Sequence, residues 1–212
     1  VIGKTSIIFD LDGTLVDSAE SILAGFDYVL DLNRISPKRD LTSEIVGPPL
    51  TETLKLLSGI TDNNKIGEMT EQFKAYYDKT ACLMSKPYEG VHEGLARLKK
   101  IGFNLHVATN KRLIPTDRIL SHLNWKDYFT SIFTLDMFDS SFDSKSAMIA
   151  SQLKSNNINY IESIYIGDRV EDLAAAKANN LSFLGVLWGY GIFPKDVEVV
   201  STFSELTARL EY

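Results

Sequence analysis

The stretch Phe9-Asp10-Leu11-Asp12-Gly13-Thr14-Leu15-Val16-Asp17-Ser18 runs an apolar segment straight into two carboxylates two residues apart, followed by a glycine. Carboxylates at the end of a buried segment are costly unless a cation or a hydrogen-bond donor meets them. In an open α/β sheet, ligands bind beyond the carboxyl ends of the strands. Asp10 and Asp12 are therefore candidates for a binding crevice, and Gly13 for a turn that aims backbone N–H groups at an anion. The same pattern, Asp-x-Asp-Gly, also describes a plain turn with solvated aspartates.

Such a crevice needs strands to end in it. Short runs rich in Ile, Val and Phe at 6–9, 105–108, 132–135, 164–166 and 183–187 predict buried parallel strands. Helical periods lie between most of them. Val91, Leu95 and Leu98 share a face with Gly102 as a stop, and Ile119, Leu120 and Leu123 follow Pro115 as a start. Strand and helix in alternation predict an α/β fold, a Rossmann-like doubly wound parallel sheet.

From about residue 17 to 86 the alternation stops and the pattern is helical throughout. Ile22, Leu23, Phe26, Val29 and Leu30 make one face, and Leu50, Leu54 and Leu57 a second before Gly59. Ile66, Met69, Phe73, Tyr76 and Thr80 make a third. The prediction is an α/β core of residues 1–16 and 86–212 with an inserted all-helical domain of residues 17–85, hinged at 16–18 and 86–90.

The stretch from Phe9 to Ser18 closely resembles the first motif of the haloacid dehalogenase superfamily of phosphatases. That family places a Thr or Ser after the second core strand, matched here by Ala108-Thr109-Asn110. It places a Lys at a later helix start, matched by Lys145 in Asp143-Ser144-Lys145-Ser146-Ala147, without the Pro that often follows. Its last motif is Gly-Asp with a further acid, matched by Ile166-Gly167-Asp168-Arg169-Val170-Glu171-Asp172. Taken singly, each match has a plainer explanation. Thr109 and Asn110 suit a turn, Lys145 a solvated helix start, and Asp168 and Asp172 the first turn of any helix. The conjunction in fixed order decides between them.

The resemblance implies a Mg2+-dependent phosphatase, with Asp10, Asp12, Asp168 and Asp172 as the metal side. In the implied chemistry Asp10 is the nucleophile that takes the phosphoryl group. Asp12, bound to the metal through its backbone carbonyl, is the proton donor and acceptor. Gly13, Thr109, Asn110 and Lys145 would hold phosphoryl oxygens, and Asp172 would orient the metal's water or Lys145. The helical insert resembles the cap of phosphoglycolate-phosphatase-like members. Gly47 and Pro48, in Ile45-Val46-Gly47-Pro48-Pro49-Leu50, resemble a specificity loop there, although Gly-Pro-Pro equally reads as a helix breaker before a helix start. Arg169 is a candidate bridge to the substrate or the cap. Pro87-Tyr88-Glu89-Gly90 resembles the return hinge and Leu187-Trp188-Gly189-Tyr190-Gly191 a loop after the fifth strand. A phosphomutase on the same scaffold, and a phosphorylated receiver-type signalling domain, are the alternative functions.

Composition bounds the partners. The 212 residues are 44% hydrophobic and 24% charged, the balance of an ordinary globular protein with one large or two small domains. With 22 Lys and Arg against 28 Asp and Glu the net charge is −6, and no basic stripe overrides it, so nucleic acid is not an expected partner. The one cysteine, Cys82, permits no internal disulfide and points to a reducing compartment. Residues 1–10 lack a signal peptide's charged start and apolar core, and no run of about 18 apolar residues suits a membrane. The expectation is a cytoplasmic enzyme, monomer or homodimer, acting on a small phosphorylated metabolite.

Overall fold

The computed structural model describes residues 4–137 and 141–211; the outermost residues of the predicted core, 1–3 and 212, lie outside the described residues. The elements in chain order are β1 (Ser6–Phe9), β2 (Val16–Asp17), α1 (Ala19–Leu32), α2 (Leu50–Ser58), α3 (Asn63–Lys79), β3 (Lys86–Pro87), α4 (Val91–Lys100) and β4 (Asn104–Thr109). They continue with α5 (Leu113–His122), β5 (Phe129–Thr134), α6 (Lys145–Ser155), β6 (Ser163–Gly167), α7 (Val170–Ala178), β7 (Ser182–Val186), β8 (Val199–Val200) and α8 (Phe203–Glu211). The chain divides into two compact units, one built from the segments up to Asp17 and from Lys86 onward, the other from Ser18–Ser85.

The first unit is a sheet of six strands in the order β5-β4-β1-β6-β7-β8, every neighbouring pair parallel. Counted as they arrive in the sheet, the strands lie 3-2-1-4-5-6, a doubly wound order whose switch point falls beside β1. Its residues Ile7, Ile8 and Phe9 are fully buried, as a strand covered on both faces requires. Successive side chains take opposite faces. Ile8 joins Ala108, Met148, Ile149, Tyr165 and Ala176 under α6 and α7, whereas Phe9 stacks on Phe203 of α8, ring centroids 6.3 Å apart.

Three sequence expectations shift here. β5 begins at Phe129, ahead of the predicted 132, and α5 begins at Leu113, so that Pro115 sits inside the first turn, where its missing N–H costs no helical bond. β8 and α8 were not anticipated. A two-residue strand has no alternation to read, although Phe203, Leu206 and Leu210 do bury one helical face.

The second unit packs α1 on α3 through Phe26 and Phe73, centroids 4.9 Å apart. The buried stripe of α3 runs Ile66, Met69, Phe73, Tyr77, in place of the predicted Tyr76 and Thr80. Eleven residues make about three turns, which keeps Tyr77 in line with Ile66 and rotates Tyr76 outward. Tyr77 lies beside the buried Ser21 hydroxyl at 3.2 Å, while Tyr76 stacks on Tyr28, centroids 4.0 Å apart. Among the described residues no helix is long and apolar enough to cross a membrane.

Candidate active site

The topology delivers its polar residues to one end of the sheet. Asp10 is the first residue after β1, Thr109 the last of β4, and Asp168 the first after β6. Lys145 opens α6, whose N-cap Ser144 accepts a hydrogen bond from the Ala147 N–H at 3.2 Å, and Asp172 lies in the first turn of α7. The Lys145 ammonium donates to Asp10 Oδ1 at 2.8 Å and also pairs with Asp172. Asp172 Oδ2 in turn accepts the Arg169 N–H at 3.0 Å, fixing its carboxylate. Below them the Tyr165 ring faces Lys145 Nζ at 5.6 Å, held by its hydroxyl on the Ala108 carbonyl at 2.8 Å.

Asp10, Asp168 and Asp172 are buried, and one carboxylate oxygen of each lies within 4.8 Å of the others. Burial pushes the Asp10 carboxyl up to about 7, Asp172 and Asp168 adding to it and Lys145 opposing. Burial likewise raises Asp168 to about 6, against the pull of the Tyr190 N–H. Three buried carboxylates against one ammonium call for a further counter-charge.

Asp168 shows where that charge is wanted. Its Oδ2 accepts the Tyr190 N–H at 2.8 Å, but its buried Oδ1 has no hydrogen-bond partner among the described residues. Backbone crowds it closely. Gly13, at φ 84°, leaves room that a Cβ would take from the Asp168 carboxylate, and a Cβ on Gly189 would strike both Asp168 and the Gly13 carbonyl. Trp188 Nε1 donates to the Thr14 carbonyl at 3.0 Å and the Tyr190 hydroxyl to Asp17 at 2.7 Å, so the 187–191 loop grips the first motif. An orphaned buried carboxylate oxygen among hard oxygen donors fits a divalent cation such as Mg2+.

Asp12 faces elsewhere. Both of its oxygens accept from Lys111 Nζ, at 2.9 and 3.0 Å, and the lysine side chain is 6% exposed. The sequence reading missed Lys111, although it lies two residues beyond Thr109. Thr109 Oγ1 accepts the Lys111 N–H at 3.2 Å, which leaves the threonine hydroxyl proton for another acceptor. Asn110 is exposed. Arg169 lies over the Tyr190 ring at 5.7 Å, its Nε 4.0 Å from Asp168. Gly47 and Pro48 belong to the other unit, where Pro48 lines a groove of about 590 Å³ with Arg39, Thr42, Ile45 and Glu52.

The haloacid dehalogenase-like hydrolase family profile matches residues 7–186, which takes in every strand-end residue just described. The chain belongs to this family. This haloacid dehalogenase-like protein is 32% identical over 224 residues to a phosphoglycolate phosphatase of Colwellia psychrerythraea, covering 98% of this chain and 97% of the relative. It is 34% identical over 190 residues to the tyrosine-protein kinase PtkA of Mycobacterium tuberculosis, covering 87% of this chain but spanning 62% of that relative's length. Among solved structures, a predicted phosphatase from Clostridium acetobutylicum superposes with a TM-score of 0.83 at 31% identity, covering 98% of both chains. The haloacid dehalogenase-like fold is thus matched along nearly the whole chain.

Proposed function

We propose that the protein is a Mg2+-dependent phosphatase that hydrolyses a small phosphomonoester through an aspartyl phosphate on Asp10. The observation that carries this reading is the buried Asp10–Lys145–Asp172 arrangement beside Asp168, at the switch point of the sheet. The family assignment and the likeness to a phosphoglycolate phosphatase support it.

The Asp10 carboxylate attacks phosphorus, and as the new bond forms the bond to the leaving alcohol breaks. Asp12 gives that alcohol its proton, then takes one from the water that attacks the aspartyl phosphate and regenerates Asp10. Lys145, Thr109, Asn110 and the backbone from Asp12 to Gly13 hold the phosphoryl oxygens as charge redistributes. Asp172 acts through Lys145, whose ammonium it shares with Asp10. The Asp10 and Asp168 carboxylates and the Asp12 carbonyl would hold Mg2+, which would supply the positive charge that lets a carboxylate approach a phosphate dianion. The helical unit takes the part of a cap whose Gly47-Pro48 loop selects the leaving group. Arg169, lying across the Tyr190 ring, is assigned to the rim of the phosphate site.

The substrate class is a phosphoglycolate-like or nucleoside monophosphate ester, whose phosphoryl group Lys145 meets within an otherwise acidic site. Transfer from Asp10 to a hydroxyl group in place of water is the second reading. What supports it is the 34% identity to a protein named as a tyrosine kinase.

Phosphate release from p-nitrophenyl phosphate, with Mg2+ and with chelator, tests the proposal against Asp10→Asn. The expected outcome is metal-dependent release that falls by at least about a thousandfold in the variant, the scale of losing a nucleophile. Release that survives the substitution would sink it. Ester consumed without an equal yield of free phosphate would favour transfer to a hydroxyl.

A further inference from the structure

Each of the two carboxylates of the first motif has its own lysine, and the two pairs differ. Lys145 shares one ammonium between Asp10 and Asp172. Lys111 instead spans both oxygens of Asp12, at 2.9 and 3.0 Å, and comes from the loop after β4. We propose that Lys111 is the positioning residue for proton transfer: it fixes the Asp12 carboxylate in the orientation from which the leaving oxygen is protonated. This rests on the phosphatase reading and assigns a group within the same site.

Three observations carry it. An aspartate on a loop ordinarily turns about its side-chain torsions, but a contact to both oxygens restrains the carboxylate plane. The side chain of Asp12 is 23% exposed, more open than Asp10 at 9%, so packing alone does not hold it. Lys111 is itself held, because its side chain is 6% exposed and its backbone N–H bonds to Thr109 Oγ1 at 3.2 Å. The residue that orients Asp12 is thereby tied to a residue assigned to the phosphoryl oxygens. A carboxylate has about four lone-pair sites, and Lys111 uses one on each oxygen, which leaves the others open to a leaving alcohol.

The chemistry gives a test that a structural role would not pass. Asp12 gives its proton to the leaving oxygen as the phosphorus–oxygen bond breaks, and that proton matters little when the leaving oxygen is a stable anion. p-Nitrophenolate leaves as an anion, whereas phenolate is far more basic and needs the proton. Lys111→Met should lower kcat/KM for phenyl phosphate by about tenfold or more while changing kcat/KM for p-nitrophenyl phosphate less than about threefold, since positioned acid catalysis is worth about 10² to 10⁴ and kcat/KM ends at departure of the alcohol, before the water step that both esters share. The ratio of the two rates, taken on one preparation, does not depend on how much of the protein is folded. Lys111→Arg, which keeps a cation able to reach both oxygens, should restore most of the ratio.

Equal loss on both esters would mean a structural role and overturn the proposal, as would no loss on either. A rise in KM of the same size on both esters would make Lys111 a substrate contact and overturn it too. If Lys111→Met does not fold, Lys111→Gln is read in the same way. Should the parent's phosphate release prove independent of Asp10, the phosphatase reading itself has failed, an outcome distinct from a failure at Lys111.

Discussion

The sheet unit and the helical unit use burial for opposite ends. In the sheet unit, parallel strands end together, and burial pushes the acids that follow β1 and β6 up, Asp10 to about 7 and Asp168 to about 6. In the helical unit the buried groups are mostly apolar. Phe26, Phe73, Leu54, Leu57 and Met69 fill its centre, and its buried hydroxyls, such as Ser21 and Thr70, bond to one another or to local carbonyls. Charge is stored where chemistry is assigned and is kept at the surface where selection is assigned. A unit that stores charge depends on its counter-ion, whereas a unit with an apolar centre depends on its packing.

The sharpest way to break this contrast is at Asp168. Asp168→Asn should raise the Mg2+ concentration for half-maximal phosphate release by at least about tenfold, the usual scale for disturbing a metal site. Calorimetric titration with Mg2+ should show the same shift, and unchanged binding would remove Asp168 from the metal side. In the other unit, Phe73→Ala should cost about 3–5 kcal/mol of stability in thermal unfolding. Phosphate release per folded molecule should keep its order of magnitude, and a loss matching that of Asp10→Asn would show that the units do not divide the work as described.

A smaller effect sharpens the contrast inside the sheet unit, at His106. Its Nδ1 meets Ser131 Oγ at 2.8 Å, its Nε2 is buried without a hydrogen-bond partner among the described residues, and burial lowers its pKa to about 4. The folded value lies below the unfolded 6.5, so the unfolded chain binds the extra proton. Stability tied to neutral His106 is therefore complete above pH 6.5 and is lost as pH falls toward 4. Asp10 and Asp168, raised by burial, act in the opposite direction over the same range. Comparing His106→Gln with the parent cancels the aspartates. The stability advantage of the parent should shrink by roughly 2–3 kcal/mol between pH 7 and pH 4. A constant difference would contradict neutral burial of His106.

Much of the site was legible in the sequence, for a physical reason. A buried strand that ends in acids is expensive, so Asp10 stands out against Ile7 and Ile8 without any knowledge of three dimensions, whereas Asp168 was reached through the family's last motif. Asn180, two residues beyond α7, has φ 55°, a left-handed position that Asn tolerates better than most residues. Lys111 was not readable, because a loop lysine normally points to water and its partner Asp12 lies 99 residues away. The Tyr190 backbone escaped for a similar reason, since an N–H that binds Asp168 leaves no mark on residue type beyond the glycines flanking it. Tyr77 was missed in favour of Tyr76 because adjacent aromatic residues give helical periodicity no preference until the stripe is followed for three turns.

The central claim is a covalent phosphoryl group on Asp10. Acid quenching of the protein during turnover of p-nitrophenyl phosphate, followed by peptide mass spectrometry, reads it directly. The account predicts the added mass of one phosphoryl group on the peptide carrying Asp10, removed by hydroxylamine and absent from Asp10→Asn. Rapid turnover with no adduct on that peptide, or an adduct on a different residue that persists in Asp10→Asn, would contradict it.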